Sequence, residues 1–218
     1  MSDVASSAAL PILTFGETTL SPSMGYVFDP RWLDPCESLV SMLWKFTAMN
    51  GLGGHSVASQ IAKRPVDPYE GFAATAAEVD IRGVARALGV PLKVVRTAVY
   101  RPGLFRGWCS KLRFCPRCMA RGYHGVVHQI GCEPQCPVHG LWLETECPGC
   151  GATTDYRIDV RLLDAPFRCA HCRRSYAPTR TSFVSRPPLS KRARSSIVRM
   201  FIGVGNAPGR PLHQRAER

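Results

Sequence analysis

Eight residues able to bind a metal arrive as four pairs, with two residues inside each pair: Cys115 and Cys118, Cys136 and His139, Cys147 and Cys150, Cys169 and Cys172. Zinc accounts for the repeat, because it takes four tetrahedral sulfur or imidazole ligands and two ligands at this spacing grip one ion from one tight turn. Each turn is half a site. Seventeen residues separate the first pair from the second and eighteen the third from the fourth, the length of a loop that returns to the ion. Sequential pairing gives one site from Cys115, Cys118, Cys136 and His139 and another from Cys147, Cys150, Cys169 and Cys172; an interleaved cross-brace stays open at this point. Disulfides need an oxidising compartment, and Met1-Ser2-Asp3-Val4 lacks the basic start and apolar run of a secretory signal. Catalytic zinc keeps an open position, whereas these sets supply four ligands each, so two structural Zn2+ ions are expected. Cys36, Cys109 and Cys132 are left over, with Cys132 read as a small buried hydrophobe.

The elements that must carry these knuckles are read from charge and periodicity. The chain has 218 residues and a formal charge of +12, with no apolar run near the roughly 20 residues that span a bilayer. A cytoplasmic location in a bacterium is the expectation. The charge is uneven: residues 1–79 sum to −4, residues 80–118 to +8, residues 119–172 to −2 and residues 173–218 to +10. Two basic blocks flank a nearly neutral metal region, a distribution that invites a polyanionic partner.

Ahead of the metal region the signals are helical. Asp34 is placed to cap, Pro35 to occupy the first helical position and Glu37 to close a capping box. Leu39, Met42, Leu43, Phe46 and Met49 then mark one face, and Asn50-Gly51 supplies the stop. Asp67-Pro68-Tyr69-Glu70 repeats the start signal and predicts another helix over residues 72–78. Residues 81–100 read as a helix-turn-helix, with Ile81, Val84, Ala85 and Leu88 on one helix, a turn at Gly89, and Val94 or Val95, Ala98 and Val99 on the next. Lys93, Arg96, Thr97 and Arg101 are then the candidates to meet nucleic acid. In the basic, partly disordered tail, Ser190 can cap a helix over residues 191–202, offering Lys191, Arg192 and Arg194 as further nucleic-acid contacts beside Ile197, Val198, Phe201 and Ile202.

Taken together, Glu37-Ser38-Leu39, Asn50-Gly51, the helix-turn-helix, the run from Leu112 to Cys118, Gly122-Tyr123, His128-Gln129, residues 136–140 and residues 147–151 resemble the TniQ family of transposition proteins, in its short form. The resemblance covers roughly residues 10–172. It departs from the family at Val40-Ser41-Met42, where many relatives carry an aromatic residue, and in having no further C-terminal domain for attachment-site reading. The resemblance implies a non-enzymatic adaptor in target-site selection that recruits an AAA+ ATPase regulator of the transposase, acts at target DNA and, in some short relatives, works with a CRISPR effector complex. Consistent with an adaptor, the chain has no phosphate loop ending in Lys-Ser or Lys-Thr and no nucleophile elbow. The alternatives are a stand-alone zinc-containing helix-turn-helix transcription regulator and a zinc enzyme such as a nuclease.

The expected fold class is a mainly α N-terminal domain with a helix-turn-helix, followed by a small α+β double zinc-ribbon-like domain and a basic tail. The boundaries read as an extended arm over residues 1–33, a helical domain over 34–108, a tandem zinc-binding domain over 109–178, and the tail over 179–218.

Overall fold

The most apolar of the expected helices becomes the axis of the molecule. In the computed structural model, which describes residues 26–100 and 107–205, helix α1 (Leu39–Asn50) is sunk into the interior. Leu39, Val40, Met42, Leu43, Trp44 and Phe46 are each at most 1 % exposed, so α1 is covered all round rather than on one face. Gly51 ends it in the left-handed conformation, φ 62°, as the Asn50-Gly51 pair predicts.

The start of α1 corrects the sequence reading. Ser38, not Asp34, is the cap: its Oγ accepts the Ser41 N–H at 3.2 Å. Asp34 and Pro35 lie in the preceding turn, where Cys36 has φ 52° and so cannot be helical. The reach of Glu37 back to the Asp34 N–H, 3.0 Å, does form, but it closes this turn instead of a helix. Glu37 is also needed for an ion pair that periodicity gave no sign of. Its carboxylate lies 2.5 Å from the Lys45 ammonium, with both side chains fully buried. Lys45 donates to the Trp32 carbonyl at 2.6 Å and Glu37 accepts from Ser41 Oγ at 2.6 Å. Burial pulls the Lys45 pKa down to about 8.

Helix α2 (Gly54–Ile61) has no counterpart in the sequence reading. Its N-terminus carries no side-chain cap of its own; the Gly54 N–H is taken by the Asp164 carboxylate, 110 residues away, at 2.6 Å. A β-carbon on Gly54 would stand 2.8 Å from the Val160 carbonyl, so only glycine permits this approach. The helix predicted over residues 72–78 is absent. Asp67 accepts the Tyr69 N–H at 2.8 Å and closes a turn, Gly71 follows at φ 69°, and strand β1 (Phe72–Ala73) leaves it. Buried Phe72 is held in extended backbone by antiparallel pairing with Ile158.

Helices α3 (Ile81–Ala87) and α4 (Leu92–Ala98) pack together across Gly89, φ 62°. Asp80 caps α3, accepting from Arg82 and Gly83, and Val84, Leu88, Val95, Ala98 and Val99 are buried as their spacing requires. Beyond them come α5 (Pro116–Ala120), a 3-10 turn at Val126–Gln129, strand β2 (Arg157–Ile158), α6 (Val160–Leu163) and α7 (Lys191–Gly205). β1 and β2 form a two-stranded sheet, and the described residues contain seven helices in all. None of these helices is long and apolar enough to cross a membrane.

One hydrophobic core joins the helical and cysteine-rich parts. It includes Tyr26 and Trp44, continues through α3 and α4, and reaches Leu112, Phe114, Met119, Cys147, Cys169 and Tyr176. Trp44 spans the two parts: its indole N–H donates to the Leu162 carbonyl at 2.6 Å, and its ring lies 5.0 Å from that of Phe167.

Candidate metal centres

The knuckles share a backbone design that explains their spacing. In three of them the N–H of the first cysteine bonds to the carbonyl five residues on, Cys136 to Leu141, Cys147 to Ala152 and Cys169 to Arg174. The residue four after that cysteine returns its N–H to the cysteine carbonyl from a left-handed conformation: Gly140 at φ 64°, Gly151 at φ 71° and Arg173 at φ 61°. Glycine takes this conformation freely, whereas Arg173 pays a steric penalty of about 1 kcal/mol. Backbone amides also aim at sulfur, Gly149 N–H at Cys147 Sγ (3.3 Å) and His171 N–H at Cys169 Sγ (3.4 Å). The first knuckle differs: the chain continues from Cys115 into α5, with Pro116 at the first helical position.

The pairing is sequential. Cys115, Cys118, Cys136 and His139 form one group and Cys147, Cys150, Cys169 and Cys172 another, with the donor atoms of each group within 4.8 Å of one another. A tetrahedron with metal–sulfur distances of about 2.3 Å has sulfur–sulfur edges of about 3.8 Å, and about 3.5 Å to a nitrogen ligand. The observed separations are 3.6 Å for Cys118 to Cys136, 3.6 Å for Cys147 to Cys172 and 3.8 Å for Cys150 to Cys169. His139 Nδ1 lies 3.4 Å from both Cys115 and Cys118 and 3.7 Å from Cys136. Hydrogen bonding to Cys115 and Cys136 and burial hold the Cys118 thiol well above its ordinary pKa, and a zinc ion coordinated by all three sulfurs would offset the charge of three thiolates held this close. Both groups fit two structural zinc ions, each with four protein ligands and no position left for substrate.

The centres differ in their surroundings. At site one, Cys115, Cys118 and Cys136 are at most 2 % exposed and pack with Tyr123 and Ile197. At site two, Cys147 and Cys169 are buried but Cys150 and Cys172 face solvent. Of the remaining cysteines, Cys36 and Cys109 are half-buried, and Cys132 is exposed, which overturns its reading as a buried hydrophobe. His124 and His128 are fully buried and belong to neither ligand group.

A polar seam joins site one to α1. Ser38 Oγ donates to His124 Nδ1 at 2.7 Å, and the opposite ring nitrogen donates to the Arg113 carbonyl at 2.9 Å. The His124 N–H donates to Ser41 Oγ at 3.1 Å. Burial pushes His124 down to about 4, so its ring is neutral and suited to this donor-acceptor pattern. Tyr123 donates to the Pro35 carbonyl at 3.0 Å. The Gln129 side chain accepts from the Arg113 N–H at 2.7 Å and donates to the carbonyls of Cys109 and Lys111. Arg113 itself donates to the Ile130 and Glu133 carbonyls. Local spacing carries no signal for these partners, which lie 86 residues apart for Ser38 and His124.

The candidate nucleic-acid residues stand on two elements. Lys93 and Arg96 are exposed on α4, while Thr97 is half-buried and donates to the Val94 carbonyl at 2.8 Å. Arg101 lies outside the described residues. Lys191, Arg192 and Arg194 are exposed at the start of α7, where Ser190 Oγ accepts the Ala193 N–H at 3.2 Å. The opposite side of α7 is anchored on site one: Ile197 is buried against its cysteines, and Ser196 Oγ donates to the Pro137 carbonyl at 2.8 Å. Comparison with known proteins adds no relative, since neither a family model nor a curated protein matches the chain.

Proposed function

We propose that this chain is a non-enzymatic adaptor of the TniQ kind, which takes part in choosing a transposition target and recruits an AAA+ ATPase regulator of the transposase. One observation carries the reading: both metal centres close on four protein ligands and act as framework, leaving function to the surfaces they hold. The seam supports it further. Ser38 and Tyr123, residues on which the family resemblance rests, tie the start of α1 to the segment beside the first metal centre, Glu37 accepts from Ser41 of α1, and Gln129 braces residues 109–113 ahead of Cys115.

On this reading α4 is the surface offered to target DNA, with Lys93 and Arg96 exposed to meet phosphates or base edges. The α7 cations, Lys191, Arg192 and Arg194, are the second charged surface. The test is capture of an ATP-loaded AAA+ transposition ATPase by the immobilised, zinc-loaded chain. Capture by the wild type and its loss in Cys115→Ser support the adaptor; capture by neither overturns it.

The packing of α3 and α4 around Gly89 favours a second reading, a zinc-stabilised transcription regulator. Sequence-specific promoter binding by the isolated chain, without ATPase capture, would replace the first reading with this one.

A further inference from the structure

Helix α7 has two working faces, and only one is used inside the molecule. At 3.6 residues per turn, Ile197, Met200 and Phe201 fall on one side, where they pack on site one and on the Val126–Gln129 turn. Lys191, Ser195, Val198 and Ile202 fall on the other. There Val198 is 37 % and Ile202 53 % exposed, an apolar pair four residues apart. Arg192 and Arg199 flank the pair on one side and Arg194 on the other. Pro35 and this face of α7 enclose an open groove of about 810 Å³, with Val198 and the cations in its lining. Among the described residues no carboxylate forms an ion pair with Lys191, Arg192, Arg194 or Arg199.

We propose that this groove, together with Ile202 one turn beyond Val198 on the same face of α7, is a docking site for an acidic amphipathic helix of a partner protein, which lays leucine-like side chains on Val198 and Ile202 and sets carboxylates against the flanking arginines. Charge complementarity sets the sign of the ligand, because α7 has no acidic residue and four cations within nine positions. The apolar ridge decides between a peptide and a nucleic acid. A phosphodiester backbone has nothing to place on Val198 and Ile202, and burying them against phosphates would leave charges desolvated. A helix with apolar residues at i, i+3, i+4 and i+7 and glutamates on both flanks satisfies both features. That the helix belongs to the ATPase rests on the adaptor reading; the groove itself does not.

The experiment uses the full, zinc-loaded chain and a fluorescein-labelled peptide helix with Leu at i, i+3, i+4 and i+7 and Glu on both flanks. Its control has the same composition with the leucines scattered round the helix. Fluorescence anisotropy should show the amphipathic peptide binding at least about tenfold more tightly than the control. Val198→Asp combined with Ile202→Asp should weaken it about tenfold, and Arg192→Glu combined with Arg199→Glu should do the same. Zinc content by native mass spectrometry and the far-ultraviolet dichroism spectrum check that each variant is folded. If Asp perturbs either, Val198→Ser with Ile202→Ser replaces it. Equal binding of the two peptides, or unchanged affinity in the Val198 and Ile202 variants, overturns the proposal. So does salt-sensitive binding of duplex DNA that depends on Arg192 and Arg199 while the peptide stays unbound. The two readings fail separately. Peptide binding without ATPase capture defeats the adaptor alone, and ATPase capture without binding of the amphipathic peptide defeats the groove alone.

Discussion

At the first metal centre three of the four ligands are buried, and α1, near the start of the described chain, and α7, near its end, both depend on it. At the second, two of four cysteines face solvent, while Cys147 and Cys169 lie in the main core and the loop between the two pairs carries β2 and α6, which pair with β1, cap α2 and receive Trp44. The ligand chemistry is nearly the same, yet the surroundings assign different work. Site one is a buried junction between the start of α1 and α7, and site two a clamp, open at one corner, on the loop that packs against α1, α2 and β1. Energy released by metal binding is therefore passed to the fold through α1 and α7 at site one and through the loop carrying β2 and α6 at site two.

The sharpest break in this comparison is Cys115→Ser. Loss of the first ion removes on the order of 10 kcal/mol of metal-linked folding energy. Native mass spectrometry should find at most one zinc, and thermal unfolding followed by circular dichroism should lose its cooperative transition, including the signal of α1. Cys172→Ser at the exposed corner of site two should cost less, about 4–5 kcal/mol. It should leave one zinc and a cooperative transition at lower temperature. A cooperative Cys115→Ser protein beside a collapsed Cys172→Ser protein would reverse the assignment of junction and clamp.

The seam gives a pH test with no counterpart at site two. His124 is depressed to about 4 by burial, against about 6.5 in an unfolded chain. A depressed base binds its proton more readily when unfolded, so its contribution is complete above pH 6.5 and is lost as pH falls toward 4. That contribution is about 3 kcal/mol. Denaturant titrations across this range should show a steeper fall for the wild type than for His124→Gln, and parallel profiles would remove His124 from the account. Ser38→Ala takes away the α1 cap and orphans a buried ring nitrogen, a loss of about 2 kcal/mol readable from the urea midpoint. The smallest effect belongs to site two. Arg173→Gly relieves the left-handed strain at φ 61° and should raise stability by about 1 kcal/mol with both zinc ions retained.

The docked side of α7 extends the contrast. Ile197 ties this helix to the junction, so the groove facing the proposed peptide is present only while site one is intact. Stripping zinc from site two by brief chelation, followed by peptide titration, should leave binding in place; stripping both should abolish it.

Much of the site was legible in the chain itself. The ligands, their number and the four half-sites follow from residue type and spacing, because zinc geometry and tight-turn geometry are both local constraints. So do the glycine stop of α1, the buried faces of α3 and α4, and the Ser190 cap of α7. What was not legible depends on partners far along the chain. The choice of sequential over interleaved pairing depends on how the loops fold back. The cap of α1 moved to Ser38 because its hydroxyl meets His124, and α2 exists because Asp164 supplies its missing cap. Asp67 to Glu70 spelled a helix start, yet pairing of Phe72 with Ile158 required a strand. Nothing in the local sequence marks Lys45 for burial, and only Glu37, Trp32 and the closed interior around them make its burial tolerable. By itself the sequence determined the chemistry, since ligand type and short-range spacing are carried by neighbouring residues. Tertiary structure alone decided which distant elements each centre holds, since burial and long-range hydrogen bonds exist only once residues 86 or 110 positions apart have met.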